Sequence, residues 1–122
     1  MDAQSNQQMR ILIVDDHVDT CELFTIAFKK RGHEVMAATC KSDALDALST
    51  VPELLVLDYN IPGLDISHFL QAVRDARQDP VVILVSCIPD LAEVANSLGI
   101  RHYLKKPCDF DALLKLAESA RQ

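Results

Sequence analysis

The chain reads as an α/β domain, with five strands and five helices in alternation forming one doubly wound sandwich around a parallel sheet. Three observations predict it. Short apolar runs rich in β-branched residues alternate with longer segments whose apolar residues recur at helical spacing. The first, third and fourth runs are continuously apolar, as strands covered on both faces are. Strands separated by crossover helices form right-handed βαβ units, which makes the sheet parallel. A length of 122 residues suits one such domain and is short for two.

A polar leader, residues 1–8, precedes the domain at 9–122. The first strand is Arg10–Val14. In the helical segment after it, Val18, Cys21, Phe24 and Phe28 fall on one stripe, and Gly32 is a natural stop. The second strand is His33–Ala38, followed by a helix carrying Ala44, Leu45 and Leu48, with Ser42 or its neighbour as cap. The third strand, Glu53–Leu57, runs into Asp58 and a turn through Pro62 and Gly63. The third helix places Ile66, Phe69, Leu70 and Val73 together. The fourth strand is Val81–Ser86, and its helix opens with Pro89 in the first turn and closes on Gly99. The fifth strand is Ile100–Leu104, and the last helix begins with an Asp cap and spaces Leu113, Leu114 and Leu116-Ala117 helically.

Hydrophobic residues make up 49% and charged residues 25%, enough for a core and unlike a disordered chain. The net charge is −6, and the longest basic run, Lys29-Lys30-Arg31, reads as the last turn of a helix. Direct nucleic-acid binding is therefore not expected. Cys21, Cys40, Cys87 and Cys108 are scattered, with no zinc spacing, and read as small buried residues in a reducing compartment. His17, His33, His68 and His102 read as surface or strand residues; only His17 adjoins acids. No apolar stretch spans a bilayer and no signal peptide is visible, so a cytoplasmic location without membrane attachment is expected.

Ligands of open α/β sheets bind beyond the carboxyl ends of the strands. There the first strand presents Asp15-Asp16, the third Asp58, the fourth Ser86, and the fifth Lys105 and Lys106 before Pro107. Taken singly, each reads as a cap, turn or loop residue. Together they bring three carboxylates, a hydroxyl and a lysine to one rim. Like charges repel more strongly in a low dielectric, and Mg²⁺ relieves that repulsion while leaving room for phosphate oxygens. The set suits phosphoryl transfer, with Asp58 as the nucleophile because the other groups converge on its strand.

On Asp15-Asp16, VLDYNIPG with Asp58, Ser86 and YLKKP with Tyr103 and Lys106, the chain resembles the receiver domain of bacterial two-component response regulators, CheY-like, from about Met9 onward. The resemblance implies a flavodoxin-like (βα)5 sandwich with strand order 2-1-3-4-5. It implies a phosphoprotein that accepts a phosphoryl group on Asp58 from a histidine kinase or phosphotransfer protein, and that catalyses only its own phosphorylation and dephosphorylation. Mg²⁺ would be held by Asp15, Asp16, Asp58 and the backbone carbonyl of Asn60. Lys106, beside the proline, would pair with the phosphate; Ser86 and Tyr103 would be the switch. The surface around the fourth helix, fifth strand and fifth helix would then control an output domain, a target protein or a second receiver in a phosphorylation-linked dimer.

Several positions depart from the family's common residues: Ile66, Cys87, Ile88, Ile100 and Cys108. None removes a chemical group from the rim. Two other readings stand beside the switch: a phosphate-independent pseudo-receiver interaction module, and a small aspartyl-phosphate phosphatase. The phosphatase generally wants an acid two residues after the nucleophile, where this chain has Asn60.

Overall fold

A computed structural model describes residues 8–121. Apart from Gln8, the polar leader expected at 1–8 lies outside the described residues. The elements run β1 (Arg10–Val14), α1 (Val18–Lys30), β2 (Glu34–Ala38), α2 (Lys41–Ala47) with a 3₁₀ turn (Leu48–Thr50), β3 (Leu54–Asp58), α3 (Ile66–Asp75), β4 (Val81–Ser86), α4 (Leu91–Ser97), β5 (His102–Lys105) and α5 (Phe110–Arg121). All strand pairs are parallel and the order is β2-β1-β3-β4-β5, as expected.

Side chains alternate across a strand, so the apolar runs of β1, β3 and β4 feed two cores. Leu12, Val14, Leu55, Leu57 and Leu84 pack beneath α2, α3 and α4, around Ala44, Phe69, Val73 and Ala95. Ile11, Ile13, Leu54, Val56, Ile83 and Val85 pack on the other face with α1 and α5, around Phe24, Phe28, Leu113 and Ala117. Phe28 meets Phe110 edge-on, with ring centroids 4.8 Å apart, which ties α1 to α5. The edge strands β2 and β5 lack the continuous burial of the central three.

Two strands start later than their apolar runs suggested, for one shared reason. The N–H of Ile100 bonds Ala95 O at 2.8 Å and that of Gly99 bonds Asn96 O at 3.1 Å. This is a Schellman stop with Gly99 left-handed at φ +74°. Ile100 therefore closes α4 instead of opening β5, and its buried side chain packs in the core beneath that helix. His33 sits in the same position after Gly32, its N–H bonding Phe28 O at 3.3 Å, and β2 begins at Glu34. β3 begins one residue late and gains Asp58, because its ladders to β1 and β4 start at Leu54.

Four further expectations are corrected. Val18, the first residue of α1, is 56% exposed, and the buried stripe of that helix begins at Cys21. Leu45 is exposed because α2 buries Ala44 and Ala47 instead, and the 3₁₀ turn buries Leu48. Pro89 lies in the turn ahead of Asp90, the N-cap of α4. The N-cap of α2 is Cys40, without a side-chain cap bond, and Ser42 lies inside the helix. The Asp cap of α5 is as expected: Asp109 accepts the Ala112 N–H at 2.8 Å. No helix among the described residues is long and apolar enough to cross a membrane.

Candidate functional site

The strand order sets β1, β3, β4 and β5 side by side, so the residues ending them reach one edge. Asp58 is the last residue of β3, paired with Val85 of β4. Asp15 follows β1 directly, and its N–H donates to Ala38 O at 3.1 Å, which continues the ladder to β2. Ser86 ends β4, and its carbonyl accepts the Lys106 N–H at 2.9 Å. The Lys106–Pro107 peptide bond is cis.

Lys106 Nζ donates to Asp15 Oδ2 at 2.8 Å and to Asp58 Oδ2 at 3.3 Å. Both carboxylates are buried, Asp58 to within 5% exposure, where an unpartnered acid would be costly. Their other oxygens have separate donors. Asp58 Oδ1 accepts the Asn60 N–H at 3.3 Å, and Asp15 Oδ1 accepts the His17 N–H at 2.9 Å. The imidazole of His17 closes over the pair of acids, with Nδ1 3.0 Å from Asp15 Oδ1 and 3.2 Å from Asp16 Oδ1. Ser86 is fully buried, and its Oγ accepts the Ile88 N–H at a long 3.4 Å.

These contacts separate the two buried acids. Burial pushes Asp15 up, but the hydrogen bonds from Lys106 and His17 outweigh it and hold the carboxyl below its ordinary value. Asp58 moves the other way. Burial raises it, the charge of Asp15 adds to the rise, and the more distant Lys106 does not cancel both. Burial works against the Lys106 ammonium, yet the hydrogen bond to Asp15 and the fields of both acids raise its pKa overall. His17 is raised by its hydrogen bond to Asp15 and by the charge of Asp16.

Ligand atoms of Asp15, Asp16, His17 and Asp58 lie within 4.8 Å of one another. Asp16 Oδ1 is buried and takes part in no hydrogen bond. A buried acceptor without a donor is what a cation at this place would satisfy. Three carboxylates facing one lysine also fit a hard divalent ion, which takes oxygen ligands and balances the excess negative charge. The residues present therefore fit a metal.

Asp15, Asp16, Asp58 and Lys106 are thus brought together as the sequence suggested, with Ser86 on the adjoining strand end. Asn60 stays beside Asp58 and lines a cavity of about 580 Å³ with Tyr59, Pro62 and Leu98. Tyr103 stands apart on β5, 42% exposed. Lys105 ends β5 and is exposed, which separates it from Lys106.

Three features escaped the sequence reading. His17 engages both acids, which adjacency alone does not reveal. Cys40 and Cys87 are exposed, not buried; Cys87 and Cys108 line a second cavity of about 450 Å³ beside His17, Phe24 and Lys106. His33 is a buried structural residue whose Nδ1 accepts the Met9 N–H at 3.1 Å.

Fold and rim together define a receiver-type α/β signalling domain. Residues 11–118 match the response regulator receiver domain, and the chain belongs to that family. It is 33% identical over 114 residues to Protein PilH of Pseudomonas aeruginosa, covering 87% of this chain and 92% of PilH. It is 34% identical over 109 residues to the transcriptional regulatory protein HprR of Escherichia coli, covering 87% of this chain and 48% of HprR. The chain thus spans about half the length of that relative. A signal receiver domain from Bermanella marisrubri matches in structure with a TM-score of 0.79 and 31% identity, over 93% of this chain and 98% of that one.

Proposed function

We propose that this receiver takes a phosphoryl group on Asp58 from a phosphohistidine of a kinase or phosphotransfer protein. The observation that carries the reading is the ammonium of Lys106 shared between Asp15 and Asp58 at the carboxyl edge of the sheet. An Oδ of Asp58 attacks phosphorus while the donor's nitrogen–phosphorus bond breaks and its electron pair returns to the ring; with the donor protonated on its other ring nitrogen, this leaves an acyl phosphate on the chain and a neutral imidazole on the donor. Burial makes Asp58 the more basic of the two acids bonded to Lys106, which suits the nucleophile. Lys106 then turns from neutralising two carboxylates to holding a phosphoryl oxygen. Asp15, Asp16, Asp58 and the carbonyl of Asn60 would hold Mg²⁺, which would supply charge neutralisation at the phosphoryl oxygens. Dephosphorylation is the domain's own chemistry, with Asn60 beside the acyl phosphate.

The phosphoryl group adds roughly −1.5 to −2 charges and three acceptors in one place. Ser86, whose Oγ makes only the long bond to Ile88 N–H, is free to donate its hydroxyl proton to one of them. Tyr103, exposed on β5, then repacks inward, and the surface of α4, β5 and α5 becomes the output for a target, an output domain or a second receiver. The test is incubation with a small phosphodonor and Mg²⁺. The wild type gains acid-stable, base-labile phosphate and Asp58→Asn does not; equal gain in both would overturn the reading. A protein that gains none and still binds its target unchanged as Asp58→Ala would be a phosphate-independent module.

A further inference from the structure

We propose that His17 is a ligand of the cation held at this rim, and that it moves the site's preference from Mg²⁺ toward first-row transition ions such as Ni²⁺. The proposal rests on the metal-binding part of the reading above and adds a nitrogen donor to it. His17 Nδ1 lies 3.0 Å from Asp15 Oδ1 and 3.2 Å from Asp16 Oδ1. Neighbouring ligands of an octahedral ion with metal–ligand bonds near 2.1 Å stand about 3 Å apart, so the imidazole nitrogen is spaced from each of the two carboxylate oxygens as an adjacent ligand would be. The oxygens of Asp15 divide the work. Oδ2 faces Lys106 at 2.8 Å, while Oδ1 faces His17, which leaves the histidine side of the acid pair for the ion.

A second observation points the same way. Asp16 Oδ1 is buried without a hydrogen bond, and the imidazole 3.2 Å away meets it only as an ion pair, when protonated. A shared cation satisfies both. The donor set then differs from one made of oxygens alone. Carboxylates, carbonyls and water suit Mg²⁺, whereas imidazole favours later first-row ions. The His17 side chain is 66% exposed and makes no cap bond to α1, so removing it changes the site with little loss of packing.

The test titrates the whole chain separately with Mg²⁺ and Ni²⁺ by calorimetry at one fixed pH, as wild type and as His17→Asn. Pulsed electron paramagnetic resonance of the Mn²⁺-loaded proteins provides a direct readout of nitrogen at the metal. Removing His17 is expected to weaken Ni²⁺ by about tenfold or more while leaving Mg²⁺ little changed. A ¹⁴N coupling is expected in the wild type and absent from the variant. Equal weakening of both ions, or a wild-type spectrum without ¹⁴N coupling, overturns the proposal. Phosphate uptake with Mg²⁺ is measured in the wild type, and its absence there would count against the phosphoacceptor reading alone.

Discussion

Asp15 and Asp58 share one ammonium yet move in opposite directions, because Asp15 has the shorter bond and a second set of donors from His17. An acid with a raised folded-state pKa binds more protons folded than unfolded, so it opposes folding above that pKa. Its cost fades as pH falls toward 3.8, the ordinary value. Asp58→Asn should therefore be more stable than wild type in metal-free buffer at neutral pH, with the advantage vanishing in acid. Chemical denaturation across pH checks this. A second prediction concerns thiols. Cys21 is buried, donates to Asp15 O and is pushed up to about 11, first by burial and then by the charge of Asp15. Site-resolved alkylation in mildly alkaline buffer should modify exposed Cys40 and Cys87 first and Cys21 last. At this scale the rim acids and Lys106 were legible, because each interrupts or follows an apolar run. The reach of His17 and the exposure of Cys87 were not, because sequence gives neighbours along the chain and not the direction of a side chain.

At the scale of elements, three helices end with the same pattern of carbonyl bonds. α1 and α4 use Gly32 and Gly99 at the left-handed position. α3 uses Arg77 at φ +60°, with Arg77 N–H on Arg74 O at 2.8 Å and Gln78 N–H on Val73 O at 3.2 Å. A side chain with a Cβ is strained there, by roughly 1–2 kcal/mol. Arg77 is exposed, so Arg77→Gly should raise stability by about 1 kcal/mol, read as a higher thermal midpoint; an unchanged or lower midpoint contradicts it. The same motif explains why β2 and β5 began later than their apolar runs. His33 and Ile100 look like strand residues by composition, but hydrogen bonds to the preceding helix claim their N–H groups. Glycine as a stop was visible in the sequence; the residue it recruits after itself was not.

For the whole molecule, the alternation of β1, β3 and β4 divides the core into two layers while delivering every strand end to one rim. Phe28, fully buried between α1 and α5, should cost about 3–5 kcal/mol as Phe28→Ala, a large share of a typical 5–15 kcal/mol stability. The central strands announced themselves as unbroken apolar runs, so the fold was legible almost throughout. The edge strands, half exposed, carried a weaker signal, and the bounds of β5 shifted most. On the function proposed above, this architecture sets one reactive carboxylate, that of Asp58, beside Lys106 at the carboxyl rim of the sheet. Phosphorylation with a small phosphodonor and Mg²⁺, followed by borohydride reduction and peptide sequencing by mass spectrometry, tests it most directly. The account predicts homoserine at position 58 and at no other acid. Homoserine at Asp15 or Asp16, or none in folded protein with Mg²⁺ bound, would contradict it.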